Sequence, residues 1–431
     1  MIFTGCRKTG EVDLEAVEMA VRGAMHRAGA AALGRLLCHE ESSAQVSCGC
    51  GGQARWHSLR SRQLLTVLGK VKYERAYYVC PDCHHGQSPR DRELEVEGIE
   101  CSPGVLRMLA LVGSESSFEQ GREQLALLAG LEVTAKCVER QAEAIGADME
   151  ASQQEQTRRA KQLELPSVCA PIVPILYIEM DGTGVPVVKA DTEGRSGKVA
   201  GQPAHTREVK LGCVFTQTTT DKEGRPVREP DSTSYVAAIE NAQEFGDRLY
   251  TEAWRRGWSR AEKKVVIADG AVWIWNLASQ QFPGAIQIVD LYHARQHLWE
   301  LSAKLFPAGE KARKRWMGRA LSLLDQGKIA TLVKTLRGLQ PEGEELTRLV
   351  RNQVDYFAHN AKRMRYPDFR AQGLFVGSGV VEAGCKTVIG TRLKRSGMFW
   401  TVRGANAIIA LRCSRLSGRF DDYWESRAGA A

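Results

Sequence analysis

Two stretches decide the fold, ILYIEMDG at residues 175–182 and KKVVIADG at residues 263–270. Each is a short apolar run rich in β-branched residues, closed by Asp-Gly, which reads as a buried strand ending at an acidic residue. Around them strands alternate with helices. VKLGCVFTQT (209–218) is a second strong strand, and SYVAAIENAQEFGDRLYTEAWRRG (234–257) has the spacing of a helix. AVWIWNLASQQ (271–281) is a short helix, and AIQIV (285–289) is a strand ending at Asp290. This order predicts an α/β domain with a central mixed sheet. Residues 291–365 then have helical spacing throughout, as does the centre of 376–396, and TVRGANAIIALRCSRL (401–416) forms a last helix.

Upstream, residues 12–38 carry apolar residues at helical spacing, and 102–163 return to that pattern. Between them LLTVLGKVKYERAYYV (64–79), broken at Gly69-Lys70, reads as paired strands. Pro166, Pro171 and Pro174 punctuate the chain and predict a domain boundary at 164–174. With 431 residues and 43% hydrophobic content the chain is long enough for two or three domains and apolar enough to bury a core. Lys and Arg exceed Asp and Glu by 59 to 51, a net +8 that permits a polyanionic partner without requiring one. The first residues, MIFTGCRKTGEVDLE, lack the apolar centre of a signal peptide, and no run approaches the roughly 18 apolar residues of a spanning helix. A cytoplasmic protein with no membrane partner is expected.

Twelve cysteines in such a compartment favour reduced thiols or metal over disulfides. Eight (Cys6, Cys38, Cys101, Cys137, Cys169, Cys213, Cys385 and Cys413) stand singly and read as incidental or buried thiols. The remaining four form Cys48-Gly-Cys50 and Cys80-Pro-Asp-Cys83, flanking the predicted hairpin. Two such pairs on two turns suit one tetrahedral Zn²⁺, as in a zinc ribbon, with a structural role because four protein ligands leave no open position. Four unrelated thiols are the alternative, and His57, His84 and His85 stand near enough to replace a ligand. After the ribbon, residues 117–140 read as helix, turn, helix: Gly130 closes the first helix and Thr134 caps the second. A helix-turn-helix would turn Lys136 and Arg140 outward to DNA, with Val138 inward; a purely structural helical pair fits the same pattern.

Phosphodiester chemistry needs the phosphate charge neutralised, a nucleophile deprotonated and a leaving oxyanion stabilised. Two divalent ions held by carboxylates meet all three needs. On strand-end position alone, Asp181, Asp269 and Asp290 are near equals, and each also suits a turn or cap. The motifs YIEMDGTGVPVVK (177–189), VVIADGAVWIW (265–275), IVDLYHARQHLW (288–299) and GSGVVEAGCKTVIGTRLKRSGMFWTVRGANAIIALRC (377–413) separate them. They resemble bacterial insertion-sequence DDE transposases of the Kra-type family, within the Mutator-like group, over nearly the whole chain.

That resemblance implies a catalytic triad of Asp181, Asp269 and Glu382, holding two Mg²⁺ (or Mn²⁺) ions. Asp290 and His293 match an auxiliary Asp-x-x-His motif. The implied fold is multidomain α/β: a ribonuclease-H-like (retroviral-integrase-like) core at 173–290, an all-helical insertion at 291–375, and C-terminal helices at 376–431 that complete the core. N-terminal helices (1–45), a zinc ribbon (46–100) and a helical, helix-turn-helix-like DNA-binding region (101–165) precede it. The implied partners are double-stranded DNA, as terminal inverted repeats and target, and further copies of the chain in a dimer or larger assembly. Near Glu382, Lys386, Arg392, Lys394, Arg395 and Arg403 are candidates for phosphate contacts and Trp400 for base stacking, against the plainer reading of a solvated basic face and a core tryptophan. Trp273, Trp275 and Trp299 read as core residues. Two rivals are a ribonuclease-H-like nuclease without strand transfer and a transposase-derived DNA-binding protein that no longer catalyses.

Overall fold

A computed structural model describes residues 13–38, 43–164, 172–197, 202–307 and 309–428. Cys6, Cys169, Pro166 and Pro171 lie outside them. The chain divides into two compact units, Met1–Ile145 with Asp422–Ala431, and Gly146–Asp421.

The first unit opens with α1 (Leu14–Leu37), started by Asp13, whose carboxylate accepts the Ala16 amide. A four-stranded antiparallel sheet follows in the order β1 (Gln45–Ser47), β2 (Gln53–Thr66), β3 (Gly69–Val79) and β4 (Gly86–Gln87). The β2–β3 hairpin is longer than its apolar centre suggests: Arg55 pairs with Val79 at one end and Thr66 with Gly69 at the turn. Gly69 has φ +98°, a backbone conformation that favours glycine. Helices α2 (Pro89–Glu93), α3 (Pro103–Glu115) and α4 (Phe118–Gln124) come next. A π-helical turn, Leu125–Ala129, then ends at left-handed Gly130. The Thr134 hydroxyl accepts the Cys137 amide at 3.1 Å and starts α5 (Ala135–Lys161), which runs past the division at residue 145. At 27 residues α5 is much longer than a compact recognition helix.

The second unit is built on a six-stranded mixed sheet of β5 (Ile175–Pro186), β6 (Thr206–Thr220), β7 (Pro226–Arg228), β8 (Ser234–Ala238), β9 (Lys263–Ala268) and β10 (Ile286–Val289). The order is β10-β9-β5-β6-β7, with β8 also paired to β6. β5 runs antiparallel to β6 and parallel to β9, and β9 runs parallel to β10. Two elements differ from the sequence expectation. SYVAA is strand β8 rather than the start of a helix; it pairs with Lys210–Val214, and α6 (Ala242–Arg255) begins only at a capping box made by Asn241 and Glu244. β5 runs through Asp181 instead of ending there, because β6 supplies it with partners as far as Pro186.

Helix α7 (Val272–Gln281) connects β9 and β10. Beyond β10 come α8 (Leu291–Leu305), α9 (Glu310–Asp325), α10 (Ile329–Arg337), α11 (Glu344–Asn360) and α12 (Tyr366–Ala371), with no strand among their described residues. The chain then returns to the sheet through α13 (Gly379–Gly384), a π-helical turn (Cys385–Gly390) and α14 (Thr391–Leu393). Helices α15 (Val402–Leu416) and α16 (Phe420–Ala428) close it. The core lies on the sheet, where Leu176, Ile178, Val214, Val265, Val266 and Ile267 are fully buried. Among the described residues no helix is long and apolar enough to cross a membrane.

Candidate metal centres

The paired cysteines come together at the open end of the first unit's sheet. Each pair occupies a tight turn closed by two backbone hydrogen bonds, the second turn one residue longer than the first. The Cys48 amide donates to Gly52 O at 2.9 Å and the Gly51 amide to Cys48 O at 3.0 Å. On the other turn, the Cys80 amide donates to His85 O at 3.0 Å and the His84 amide to Cys80 O at 2.9 Å. The β2–β3 register brings the two turns side by side. All four sulfurs lie within 4.8 Å of one another, with Cys48–Cys83 and Cys50–Cys80 each at 3.6 Å. A tetrahedral ion with Zn–S near 2.3 Å sets its sulfurs about 3.8 Å apart, so this donor set is able to hold one ion such as zinc.

The electrostatics of the quartet point the same way. The backbone amide of Cys83 helps bring the Cys80 thiol down to about 7. The Cys83 thiol is stabilised as thiolate by the His85 amide, yet hydrogen bonds with Cys50 and Cys48 push it up to about 12. Cys50, Cys80 and Cys83 thus compete for protons, a conflict that a cation resolves. Among the described residues this is the one cluster of three or more His, Cys, Asp or Glu donors tight enough for an ion, and no histidine belongs to it. Its own core is small, Ala54 and Tyr78 with Cys48 and Cys80. Elsewhere in this unit the thiols of Cys101 and Cys137 are not solitary: a hydrogen bond from Cys101 helps lower Cys137 to about 7.

The acidic site is assembled differently. Parallel pairing of β5 with β9 sets Met180 opposite Ala268, so Asp181 and Asp269 follow at the same level on neighbouring strands, which run about 4.8 Å apart. Asp269 caps the turn after β9, its Oδ1 accepting the Ala271 amide at 2.8 Å. The glycine after it has a packing reason: a Cβ on Gly270 would lie 2.0 Å from the Tyr356 ring. Burial raises the Asp269 carboxyl above its ordinary range, the Ala271 amide and His293 oppose this, and Asp181 adds to it.

Glu382 sits on α13 as an exposed residue whose carboxyl is partly desolvated. Its carboxyl is raised first by burial, then by Asp290 and Asp181, while Lys386 and His293 pull it down. The three carboxylates therefore share one electrostatic neighbourhood, with His293 acting on two of them. One further link ties α13 and its π-turn to the strand: Cys385 Sγ donates to Asp181 Oδ2 at 3.3 Å. The carboxylates do not form an ion-tight cluster like that of the cysteines. His297 stacks on Tyr356 with ring centroids 3.9 Å apart and hydrogen-bonds Gln353 at 2.9 Å, backing His293 from behind.

Asp290 is 1% exposed and fully engaged. Its Oδ1 accepts the His293 amide at 2.8 Å, and its Oδ2 accepts both the amide and the hydroxyl of Ser378 at 2.5 Å. Sequence reasoning missed Glu179, fully buried in the middle of β5, whose Oε2 accepts the Val381 amide at 2.8 Å. Burial, with Asp290 and Glu382 adding to it, pushes this carboxyl up to about 8 against the pull of that amide. The signal for it was a lone acid inside the apolar run ILYIEM.

Of the basic candidates, Lys136, Arg140, Lys386, Lys394 and Arg403 are exposed and Arg395 is half-buried; Lys136 pairs with Glu139 at 2.8 Å. Two expectations are corrected. Arg392 is fully buried and stacks over Trp400 at 4.9 Å, and Trp400 is 6% exposed with its indole N–H donating to Leu393 O. Neither reaches a phosphate or a base from there. The exposed aromatic of Met398-Phe-Trp400 is Phe399, 66% exposed, a choice that the sequence could not make. Trp275 is buried, as expected, but Trp299 is 48% exposed.

No protein-family model matches the chain. It is 23% identical over 380 residues to the "UPF0236 protein in vanSb 3'region" of Streptococcus gallolyticus, a match that covers 85% of this chain and 75% of that protein. Among solved structures it is similar to the Drosophila P element transposase strand transfer complex at 10% identity, over 79% of this chain and 84% of that one. The TM-score is 0.26, below what a shared fold requires.

Proposed function

We propose that the chain is a DNA transposase of the Kra-type group, with a ribonuclease-H-like core whose catalytic centre is Asp181, Asp269 and Glu382. The observation that carries this reading is the β5–β9 register, which sets the first two carboxylates level on adjacent parallel strands, with Asp181 acting electrostatically on both Asp269 and Glu382. Three antiparallel strands continued by two parallel ones suit such a core. The donor set fits hard divalent cations, which prefer carboxylate oxygens. Crowding of like charges in a partly buried site is a strain that such cations relieve.

When bound, two Mg²⁺ or Mn²⁺ ions supply charge neutralisation, nucleophile activation and leaving-group stabilisation. The protein's own contribution is position and charge. Asp181 and Asp269 present carboxylate oxygens from rigid strands, and Glu382 presents its own from the returning helix. His293, beside Asp269 and Glu382, is placed to meet the scissile phosphate. Lys386, Lys394, Arg395 and Arg403 neutralise flanking phosphates. Phe399 takes the stacking role that Trp400 cannot fill. In the first unit a structural zinc orders the hairpin, and Lys136 and Arg140 help to read the element ends. Joining two ends calls for at least two copies of the chain.

Asp181→Asn, Asp269→Asn and Glu382→Gln should each lower metal-dependent cleavage of end-containing DNA by on the order of 10⁴-fold while DNA binding persists. Full cleavage by any of the three removes that residue from the centre. Cleavage without joining of a pre-cut 3′-hydroxyl end would reduce the protein to a nuclease.

A further inference from the structure

The returning helix raises a question of positioning. Between β10 and α13 the chain makes a long helical excursion, and closing so long a loop onto one geometry carries an entropic cost that local contacts must offset. The first turn of α13 also leaves backbone amides without intrahelical partners. An Ser at the N-cap position ordinarily satisfies one of them. Here the Ser378 side chain caps nothing, because its hydroxyl donates to Asp290 instead.

Two buried carboxylates from outside the helix take over. Glu179, on β5, accepts the Val381 amide at 2.8 Å. Asp290, at the end of β10, accepts the Ser378 amide and hydroxyl, and it caps α8 through His293 on its other oxygen. A backbone bond from the Leu291 amide to Val376 O, 2.9 Å, closes the same junction. Burying two carboxyl groups at one junction is costly unless they are well bonded. A single strand–helix contact would not require both.

We infer that Glu179 and Asp290 are paired positioning residues that pin residues 376–381 to the sheet and thereby set Glu382 against Asp181 and Asp269. The two act through different chemistry. Glu179 uses one oxygen for its amide, and its Oε1 has no hydrogen-bond partner. Asp290 uses both oxygens, one for each helix start. An amide side chain keeps one acceptor oxygen, so it replaces Glu179 but not Asp290.

The role of Glu382 in cleavage rests on the function proposed above; the pinning itself does not, and two readouts keep them apart. The first is hydrogen exchange at the amides of residues 378–382 in the full-length protein without added Mg²⁺ or Mn²⁺. Glu179→Ala and Asp290→Asn should lose protection there, whereas Glu179→Gln should keep it. The second is single-turnover cleavage of end-containing DNA at saturating DNA. Glu179→Ala and Asp290→Asn should slow it about 10- to 100-fold with little change in DNA affinity, and Glu179→Gln should restore it to within a few-fold. Unchanged exchange in both Glu179→Ala and Asp290→Asn overturns the inference. So does equal loss in Glu179→Gln and Glu179→Ala, which makes the site merely structural. Lost protection with an unchanged cleavage rate overturns the positioning role. A wild-type protein that cuts no end-containing DNA refutes the transposase reading, and the exchange pattern then still decides the pinning. If Glu179→Ala does not fold, the contrast between Glu179→Gln and Asp290→Asn is sufficient, since both keep the side-chain shape.

Discussion

The four cysteines and the three carboxylates are two candidate metal centres made by opposite means. The thiols lie on two turns that flank one hairpin, and their local backbone bonds and the strand register suffice to gather them. The carboxylates come from β5, the end of β9 and α13, with a helical insertion between the second and third. A small core surrounds the first centre, whereas the second rests on the fully buried strands of a six-stranded sheet. The difference teaches where a metal would matter for folding. At the open end of the hairpin packing offers only a small core, so a bound ion would add stability there; at the sheet the protein holds the acids by itself and bears the repulsion between them.

Removing metal should break this symmetry most sharply. Chelation of zinc, or Cys80→Ser, should melt the open end of the hairpin, because structural zinc contributes on the order of 10 kcal/mol to small metal-dependent folds. Hydrogen exchange across residues 45–87 would register it, with metal analysis giving one zinc per chain beforehand. The amides of β5 and β9 should be unaffected. A hairpin equally protected with and without chelator would refute the structural role of the quartet.

A titration sharpens the other half. Glu179 is raised to about 8 in the folded chain, against an ordinary value of 4.5, with burial as its main cause. The folded state therefore holds this proton more tightly than the unfolded one. Its contribution to stability is complete below about pH 4.5 and is lost as pH rises toward about 8. Denaturant melts of the metal-free protein should show stability falling across that window, and Glu179→Gln should flatten the fall. An identical pH dependence in wild type and Glu179→Gln would remove Glu179 as its source.

The smallest effects concern two glycines, one at each centre. A Cβ on Gly270 would meet the Tyr356 ring, so Gly270→Ala should cost about 1–3 kcal/mol, as overpacking does. A Cβ on Gly49, between Cys48 and Cys50, meets nothing within 4 Å, and Gly49→Ala should stay within about 0.5 kcal/mol of wild type. Thermal melts of both variants test this, and equal destabilisation would erase the contrast.

Much of this was readable along the chain, and the limits have physical causes. Apolar β-branched runs bounded by Gly or Asp marked β5, β6, β9 and β10, because buried strands need few residues and no partner identity to be recognised. SYVAA escaped because its two alanines suit a helix, and only pairing with β6 makes it a strand. The cysteine pairs were visible because their ligands sit in local turns. Asp181 and Asp269 were candidates by position, but strand-end chemistry did not separate them from Asp290, and Glu382 entered through the family resemblance alone.

What the sequence by itself determined is therefore what short-range physics controls: strand and helix periods, turn glycines, caps such as Thr134, and the spacing of thiols. Tertiary structure alone decided the register that levels Asp181 with Asp269, the burial that takes Arg392 and Trp400 out of reach and exposes Phe399, and the meeting of Cys101 with Cys137. It also decided that Glu179 and Asp290 bond the amides of a segment that returns only after the helical insertion. Such contacts join residues far apart in the chain, and the free energy that selects them comes from packing and desolvation across the whole sheet, which no local window contains.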